Sequence, residues 1–302
     1  MRRFLPSPLT VVFALLAAAC GAAPGAVLVL QTDFGTKDGA VAAMKGVAVG
    51  IEPRLVIHDL SHENTPYDIW EAAYRLKQTV PYWPAGTVFV SVVDPGVGSA
   101  RKSVVLRTAS GHLLVGPDNG TWTLVAEDLG VEEVREIDAD RHLRGGSAKS
   151  YTFHGRDLYV LVGAKLAAGQ LALKEVGPPL TAGVVRLPYE RARRADGVLL
   201  GGIPALDVRY GNIWTNIDEE LWAELSPTPG DLFRVTIQRG DTTVYEGEMP
   251  YVRTFADVPA GRPLLYLNSL LHVAFALNMD SFAARHGIES GAEWRVCVER
   301  MR

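Results

Sequence analysis

With 302 residues, 48% of them hydrophobic and 21% charged, the chain is too long for one small core and too apolar for disorder; one large globular domain or two are expected. A formal net charge of −4 with no basic stripe argues against nucleic-acid binding by phosphate neutralisation. The two cysteines, Cys20 and Cys297, cannot build a thiolate metal site, and they form no disulfide within the chain if Cys20 is modified or removed.

Residues 1–25 read as a targeting leader. Arg2 and Arg3 give a positive start, Leu9 to Leu16 an apolar run, and Ala17-Ala18-Ala19 a small-residue cleavage signal. The run is too short to remain as a membrane-spanning helix. Cys20 directly after the alanines fits a bacterial lipoprotein signal, which would attach the chain to a membrane through lipidated Cys20, although Ala17 stands where a branched residue is preferred. Plain cleavage to a soluble secreted form fits as well. Either route exports the protein, to the periplasm or to a membrane-anchored state.

Ala26 to Leu30 reads as a buried strand ending in Gln31-Thr32-Asp33-Phe34-Gly35, a carboxylate with a glycine behind it. Lys37 to Val49 reads as a helix with Ala40, Ala43, Met44 and Val47 on one face. Leu55 to Leu60 is the next strand, and His58, Asp59, Ser61 and His62 crowd its exit. Thr65-Pro66-Tyr67-Asp68 has the form of a helix start, with Thr65 as N-cap and Pro66 in the first helical position. Ile69, Trp70, Ala73, Leu76 and Val80 then repeat at helical spacing.

Phe89 to Val93 is an uncharged strand that runs into Asp94-Pro95-Gly96-Val97-Gly98-Ser99-Ala100-Arg101. Ligands of open α/β sheets bind beyond the carboxyl ends of strands, so Asp94 and Arg101 stand where chemistry is usually placed. Strand and helix alternating with short links argue for a mainly parallel sheet covered on both faces. Ser103–Thr108 and His112–Val115 form a hairpin pattern leading to the polar turn Gly116-Pro117-Asp118-Asn119-Gly120. A helix at Thr121–Leu129 and a strand near Val134–Ile137 follow. Phe153-His154-Gly155-Arg156-Asp157 opens an apolar helix, Leu158–Ala168, stopped by Gly169.

Gly177-Pro178-Pro179-Leu180 and the charged run Glu190 to Asp196 mark a composition shift. We place an N-terminal α/β domain at 26–185 and a smaller all-β domain at 190–302, with strands at Val198–Val208, Phe233–Gln238, Thr242–Glu246 and Leu264–Leu267. No phosphate loop, dinucleotide fingerprint, His-Glu-x-x-His or Gly-x-Ser-x-Gly is present. His58, Asp59 and His62 lack a further ligand at metal spacing, so no metal is expected there.

Five polar turns occur in a fixed order: Thr32–Gly35, Val93–Gly98 with Arg101, Pro117–Gly120, Phe153–Asp157, and Tyr210-Gly211-Asn212 with Thr215-Asn216. In this the chain resembles the S-adenosyl-L-methionine hydroxide adenosyltransferases, relatives of the fluorinase and chlorinase enzymes. The resemblance implies an α/β domain followed by a barrel-like β domain, a homotrimer with sites between subunits, and hydrolysis of S-adenosylmethionine to adenosine and methionine with no cofactor. By the same resemblance the catalytic triad is Asp94, Arg101 and His154, and Asp33 holds the ribose. Asn119, Asp207, Asn212 and Ser269 belong to substrate binding, although Leu270-Leu271-His272 replaces the usual glycine-containing segment after the serine.

The residue chemistry is consistent with that assignment. Departure of a sulfonium leaves a neutral thioether, so the leaving group needs no acid. Water must be held in line and must lose a proton; Asp94 or His154 can accept it, while Arg101 stays protonated. Two alternatives remain at this level: a 5′-halogenase, and a non-catalytic envelope lipoprotein that binds an adenosine-like ligand.

Overall fold

The computed structural model describes residues 26–147 and 151–301; the leader with Cys20 lies outside the described residues. The first region contains β1 (Val27–Thr32), α1 (Ala40–Ile51), β2 (Val56–Ser61), α2 (Ile69–Thr79), β3 (Val88–Val92), β4 (Ser103–Thr108), β5 (Leu113–Pro117), α3 (Thr123–Asp128), β6 (Val131–Glu136), the short α4 (Ala139–His142) and α5 (Val160–Ala167). Its six strands lie in the order β2-β1-β3-β5-β4-β6. β1, β2, β3 and β5 are parallel, and β4 alone runs against its neighbours. The expected mainly parallel sheet and the hairpin at Ser110-Gly111 are therefore both present.

Alternation of side chains along the strands divides the core between the two faces. Leu28 and Leu30 of β1 pack with Met44 and Ala48 of α1 and with Val160, Val162 and Ala164 of α5. Val29 between them points to the opposite layer, with Leu76 of α2, Trp122 and Val125. All five residues of β3 are buried, as a strand covered on both faces requires. Gly163 lets α5 approach this strand, since a Cβ there would come within 2.4 Å of Val90 Cγ2.

Three expectations shift. The α2 helix begins at Ile69, and its N-cap is Asp68, which accepts the Glu71 N–H; Thr65 and Pro66 lie ahead of it because Tyr67 takes a left-handed φ of 70°. The apolar helix after His154 opens with a π-helical turn, Gly155–Tyr159, before α5 proper. Such turns widen a helix by one residue and often mark functional positions. The continuous strand expected over Val198–Val208 is divided at Pro204, which has no N–H for a ladder.

The second region holds β7 (Arg193–Ala195), β8 (Val198–Ile203), β9 (Ala205–Leu206), β10 (Ile213–Asp218), α6 (Glu219–Ala223), β11 (Leu232–Arg239), β12 (Thr242–Pro250), β13 (Pro263–Leu267), β14 (His272–Leu277), α7 (Phe282–His286) and β15 (Gly291–Arg300). They form two antiparallel sheets, β13-β14-β10-β9 and β12-β11-β15-β8-β7, enclosing a core that includes Trp222, Phe233, Phe275 and Trp294. The charged run at Glu190–Asp196 thus contains the edge strand β7.

Candidate functional site

Two neighbouring parallel strands, β1 and β3, end at the same edge of the sheet, and each delivers a carboxylate within two residues of its end: Asp33 and Asp94. After Asp94 the chain turns back on itself through bonds from Val97 N–H to the Asp94 carbonyl and from Ser99 N–H to the Gly96 carbonyl. Gly98 sits at φ +82° in this turn, in the region that favours glycine. The turn returns Arg101 to Asp94: Arg101 Nε donates to Asp94 Oδ1 at 2.8 Å, and Nη2 donates to Oδ2. Both side chains are largely enclosed, at 6% and 11% exposure. This bidentate fork fixes the plane of the carboxylate as well as its position.

His154 completes the cluster from the mouth of the π turn. Its Nδ1 lies 3.3 Å from Arg101 Nη2. A guanidinium only donates, so Nδ1 is the acceptor and the proton of the neutral ring belongs on Nε2. Burial, reinforced by the Arg101 charge, holds the His154 imidazole below its ordinary pKa of 6.5. Burial alone would lower the Arg101 pKa, but the hydrogen-bonded Asp94 carboxylate and the neighbouring Tyr159 together raise it above its usual range.

Behind the triad stands a second layer that sequence reasoning missed. Arg101 Nη1 donates to Ser103 Oγ at 3.2 Å, and Ser103 Oγ lies 2.9 Å from the Tyr159 hydroxyl. Tyr159 is fully buried, packs edge-on to His154 with centroids 6.2 Å apart, and lies 5.8 Å from the Arg101 guanidinium. One tyrosine therefore touches both the histidine and, through Ser103, the arginine. The only sequence signal was the five-residue spacing from His154 to Tyr159, which becomes meaningful once the intervening turn is π rather than α.

Asp33, Asp94 and His154 line one cavity of about 330 Å³, walled by Phe34, Tyr67 and Phe153. Asp33 Oδ2 accepts the Tyr67 N–H at 2.9 Å, and among the described residues Asp33 forms no ion pair. Asn119 spends its amide inside the chain: Nδ2 donates to the Val93 carbonyl at 2.8 Å, and Oδ1 accepts from Thr121. It thus braces the strand end next to Asp94.

The remaining predicted residues lie elsewhere. Asp207 lines a separate cleft of about 1010 Å³ between α2 and the second region. Thr65 and Asp68 face that cleft while Pro66 and Tyr67 face the triad's cavity, so the 65–68 segment stands between the two. Asp207 Oδ1 accepts the N–H groups of Arg209 and Tyr210, and Oδ2 accepts Asn212 Nδ2 at 3.2 Å. Ser269 is exposed in the turn joining β13 to β14 and lines neither cavity. Within one chain the structure brings Asp33, Asp94, Arg101 and His154 together and leaves Asp207, Asn212 and Ser269 apart. Among the described residues, no group of three or more His, Cys, Asp or Glu side chains is arranged to hold a metal.

Comparison with known proteins follows the same division. Residues 28–177 match the SAM hydroxide adenosyltransferase N-terminal domain, and residues 201–295 match the corresponding C-terminal domain. An (R)-S-adenosyl-L-methionine hydrolase of Salinispora arenicola is 36% identical over 267 residues, covering 88% of this chain and 95% of that one. Another of that name, from Methanocaldococcus jannaschii, is 47% identical over 144 residues, about half of each chain (46% and 52%). A fluorinase of Actinoplanes sp. is 30% identical over 290 residues, covering 88% and 95%. The crystal structure of an uncharacterized conserved protein from Thermotoga maritima superposes with a TM-score of 0.83 at 32% identity, covering 91% of this chain and all of that one. On both of its matched domains, this chain belongs to the SAM hydroxide adenosyltransferase family.

Proposed function

We propose that the protein hydrolyses S-adenosyl-L-methionine to adenosine and L-methionine. The observation that carries this reading is the enclosed Asp94–Arg101–His154 cluster at the strand ends, in a family whose full-length relatives include proteins named as hydrolases of that substrate. Water attacks the ribose C5′, the C5′–S bond breaks with its electron pair going to sulfur, and the water's proton is released. The sulfonium becomes a neutral thioether, so no acid is called for.

The hydrogen bonds support a division of roles. His154 Nδ1 is occupied by Arg101, so the ring takes up no proton there without displacing the guanidinium; its other nitrogen is a donor that can orient the water. Asp94 is then the proton acceptor, its oxygens keeping further lone pairs beyond those given to Arg101. Arg101 sets the geometry of both partners, and the enclosed site removes competing solvent. Asp33 suits the two ribose hydroxyls, each donating to one carboxylate oxygen.

A halide would have to sit beside the Asp94 carboxylate, whose charge repels it, whereas water donates to that carboxylate; this favours hydrolysis over halogenation. A cavity of about 330 Å³ is at the small end for a ligand of this size. We propose that the second region of a neighbouring copy, carrying Asp207, Asn212 and Ser269, closes the site in a homotrimer. The leader sequence supports export, with Cys20 as the point of membrane attachment if it is lipidated.

The deciding experiment is chromatographic. Purified protein incubated with S-adenosylmethionine is expected to yield adenosine and methionine in equal amounts, independently of added chloride. Tight adenosine binding without turnover would instead establish the binding-protein alternative, and halide-dependent substrate loss the halogenase.

A further inference from the structure

The turn Thr32–Gly35, which sets Asp33 at the wall of the cavity, is fastened from below by a side chain that the reaction above does not use. His62 is buried, with 2% of its side chain exposed. Its Nδ1 lies 2.8 Å from Thr32 Oγ1, and its Nε2 lies 3.0 Å from Asp59 Oδ1. Asp59 Oδ2 in turn accepts from Lys45 Nζ at 2.7 Å. The His62 carbonyl accepts the Gly35 N–H, also at 2.7 Å. One residue therefore grips the turn on both sides of Asp33, through Thr32 and through Gly35.

The network has one consistent sense. The carboxylate of Asp59 requires a donor, so the imidazole proton is on Nε2 and Nδ1 accepts the Thr32 hydroxyl proton. That leaves the Thr32 oxygen free to accept the Phe34 N–H, which lies 3.2 Å away. The exposed Lys45–Asp59 pair contributes little by itself. The determining element is the buried Thr32–His62 contact with Asp59 orienting the ring.

We propose that His62, oriented by Asp59, is a positioning residue that holds Asp33 in register with the two ribose hydroxyls. This rests on the reading of Asp33 as the ribose-binding carboxylate. A carboxylate that must meet two hydroxyls at once tolerates little displacement, and small misplacements of such groups have large effects.

The test measures calorimetric affinity for adenosine and for 2′,3′-dideoxyadenosine in the purified protein and four variants. Asp33→Ala is the reference for losing the diol contact. His62→Gln places its amide near the Nε2 position and loses Thr32, Thr32→Val keeps the shape and loses the hydroxyl, and His62→Asn sets an oxygen near the Nδ1 position. We expect His62→Gln and Thr32→Val to weaken adenosine about tenfold while dideoxyadenosine stays within about twofold, and His62→Asn to retain most of the difference. Equal weakening of both ligands, or of neither, overturns the proposal when Asp33→Ala does discriminate. If Asp33→Ala itself fails to discriminate, the ribose reading falls and takes the proposal with it. Should His62→Gln not fold, the near-isosteric Thr32→Val decides alone.

Discussion

Asp94 and Asp207 both stand in polar turns that follow a strand, yet they are held in opposite ways. Asp94 is gripped by a side chain that the turn brings back to it, Arg101, whose Nη2 also reaches His154. Asp207 is satisfied by its own turn, through the N–H groups of Arg209 and Tyr210 and the amide of Asn212. The Asp94 and Arg101 side chains are themselves enclosed, at 6% and 11% exposure, whereas Val208 and Tyr210 beside Asp207 are 80% and 67% exposed. The first arrangement is complete within one chain and is ordered by tertiary structure. The second is a preformed local shape with large apolar side chains in solvent, as expected of a surface that another subunit or a substrate covers.

The contrast is broken most directly at Asp94. Asp94→Asn keeps the shape and one acceptor but loses the charge that pairs with Arg101 and that is proposed to accept the water's proton. We expect kcat to fall about 1000-fold with a far smaller change in KM, measured by adenosine formation. A fall of less than about tenfold would remove Asp94 from the proton-accepting role. Arg101→Lys comes next, at about 100-fold: an ammonium cannot make the two parallel bonds to Asp94 and also reach His154 and Ser103. Tyr159→Phe removes one hydroxyl from the layer behind and is expected to lower kcat about tenfold, with a stability cost of about 1 kcal/mol readable by denaturant titration.

At the other region the expected effect is smaller and of a different kind. Asp207→Ala frees the 207–212 turn without touching the triad, so KM should rise by about tenfold while kcat stays within about threefold. An equal drop in kcat would show that the two regions act on the reacting centre together.

This difference between the regions also explains what was legible in the sequence. The strand ends and the positions of Asp33, Asp94 and Arg101 follow from short apolar runs closed by Pro and Gly, which are local signals. His154 was visible as a motif residue at the start of an apolar helix, but Tyr159 was not, because its relation to His154 depends on a π turn that no period-3.6 pattern reveals. Thr65 looked like a helix cap and is not one, since Tyr67 adopts φ +70° and directs its N–H to Asp33, a tertiary constraint that overrides the local preference. In the second region Pro204 divides an apparently continuous strand between two sheets, and the ten-residue β15, which pairs with distant β8 and β11, was missed. Strands whose partners are remote leave weaker marks on a sequence than strands that end in turns.

The finest test of the triad uses pH. His154 is held below its ordinary pKa of 6.5, first by burial and then by the Arg101 charge, with Asp94 and Asp157 opposing. The form that accepts from Arg101 is the neutral ring, so activity requires His154 unprotonated and falls as pH drops through the lowered value. The acidic limb of kcat/KM should therefore inflect below pH 6.5, if the triad sets that limb. The same group makes the folded state bind fewer protons than the unfolded state between its lowered value and 6.5. Its stability contribution is thus full above 6.5 and is lost as pH falls through the folded value. Arg101→Met removes the cation while Asp94 remains to favour the charged ring, so the ring should titrate at higher pH than in the wild type. NMR titration of the His154 ring in both proteins reads this without needing turnover. An unmoved or lowered midpoint would show that burial alone sets the value and that the 3.3 Å contact does not couple Arg101 to the histidine.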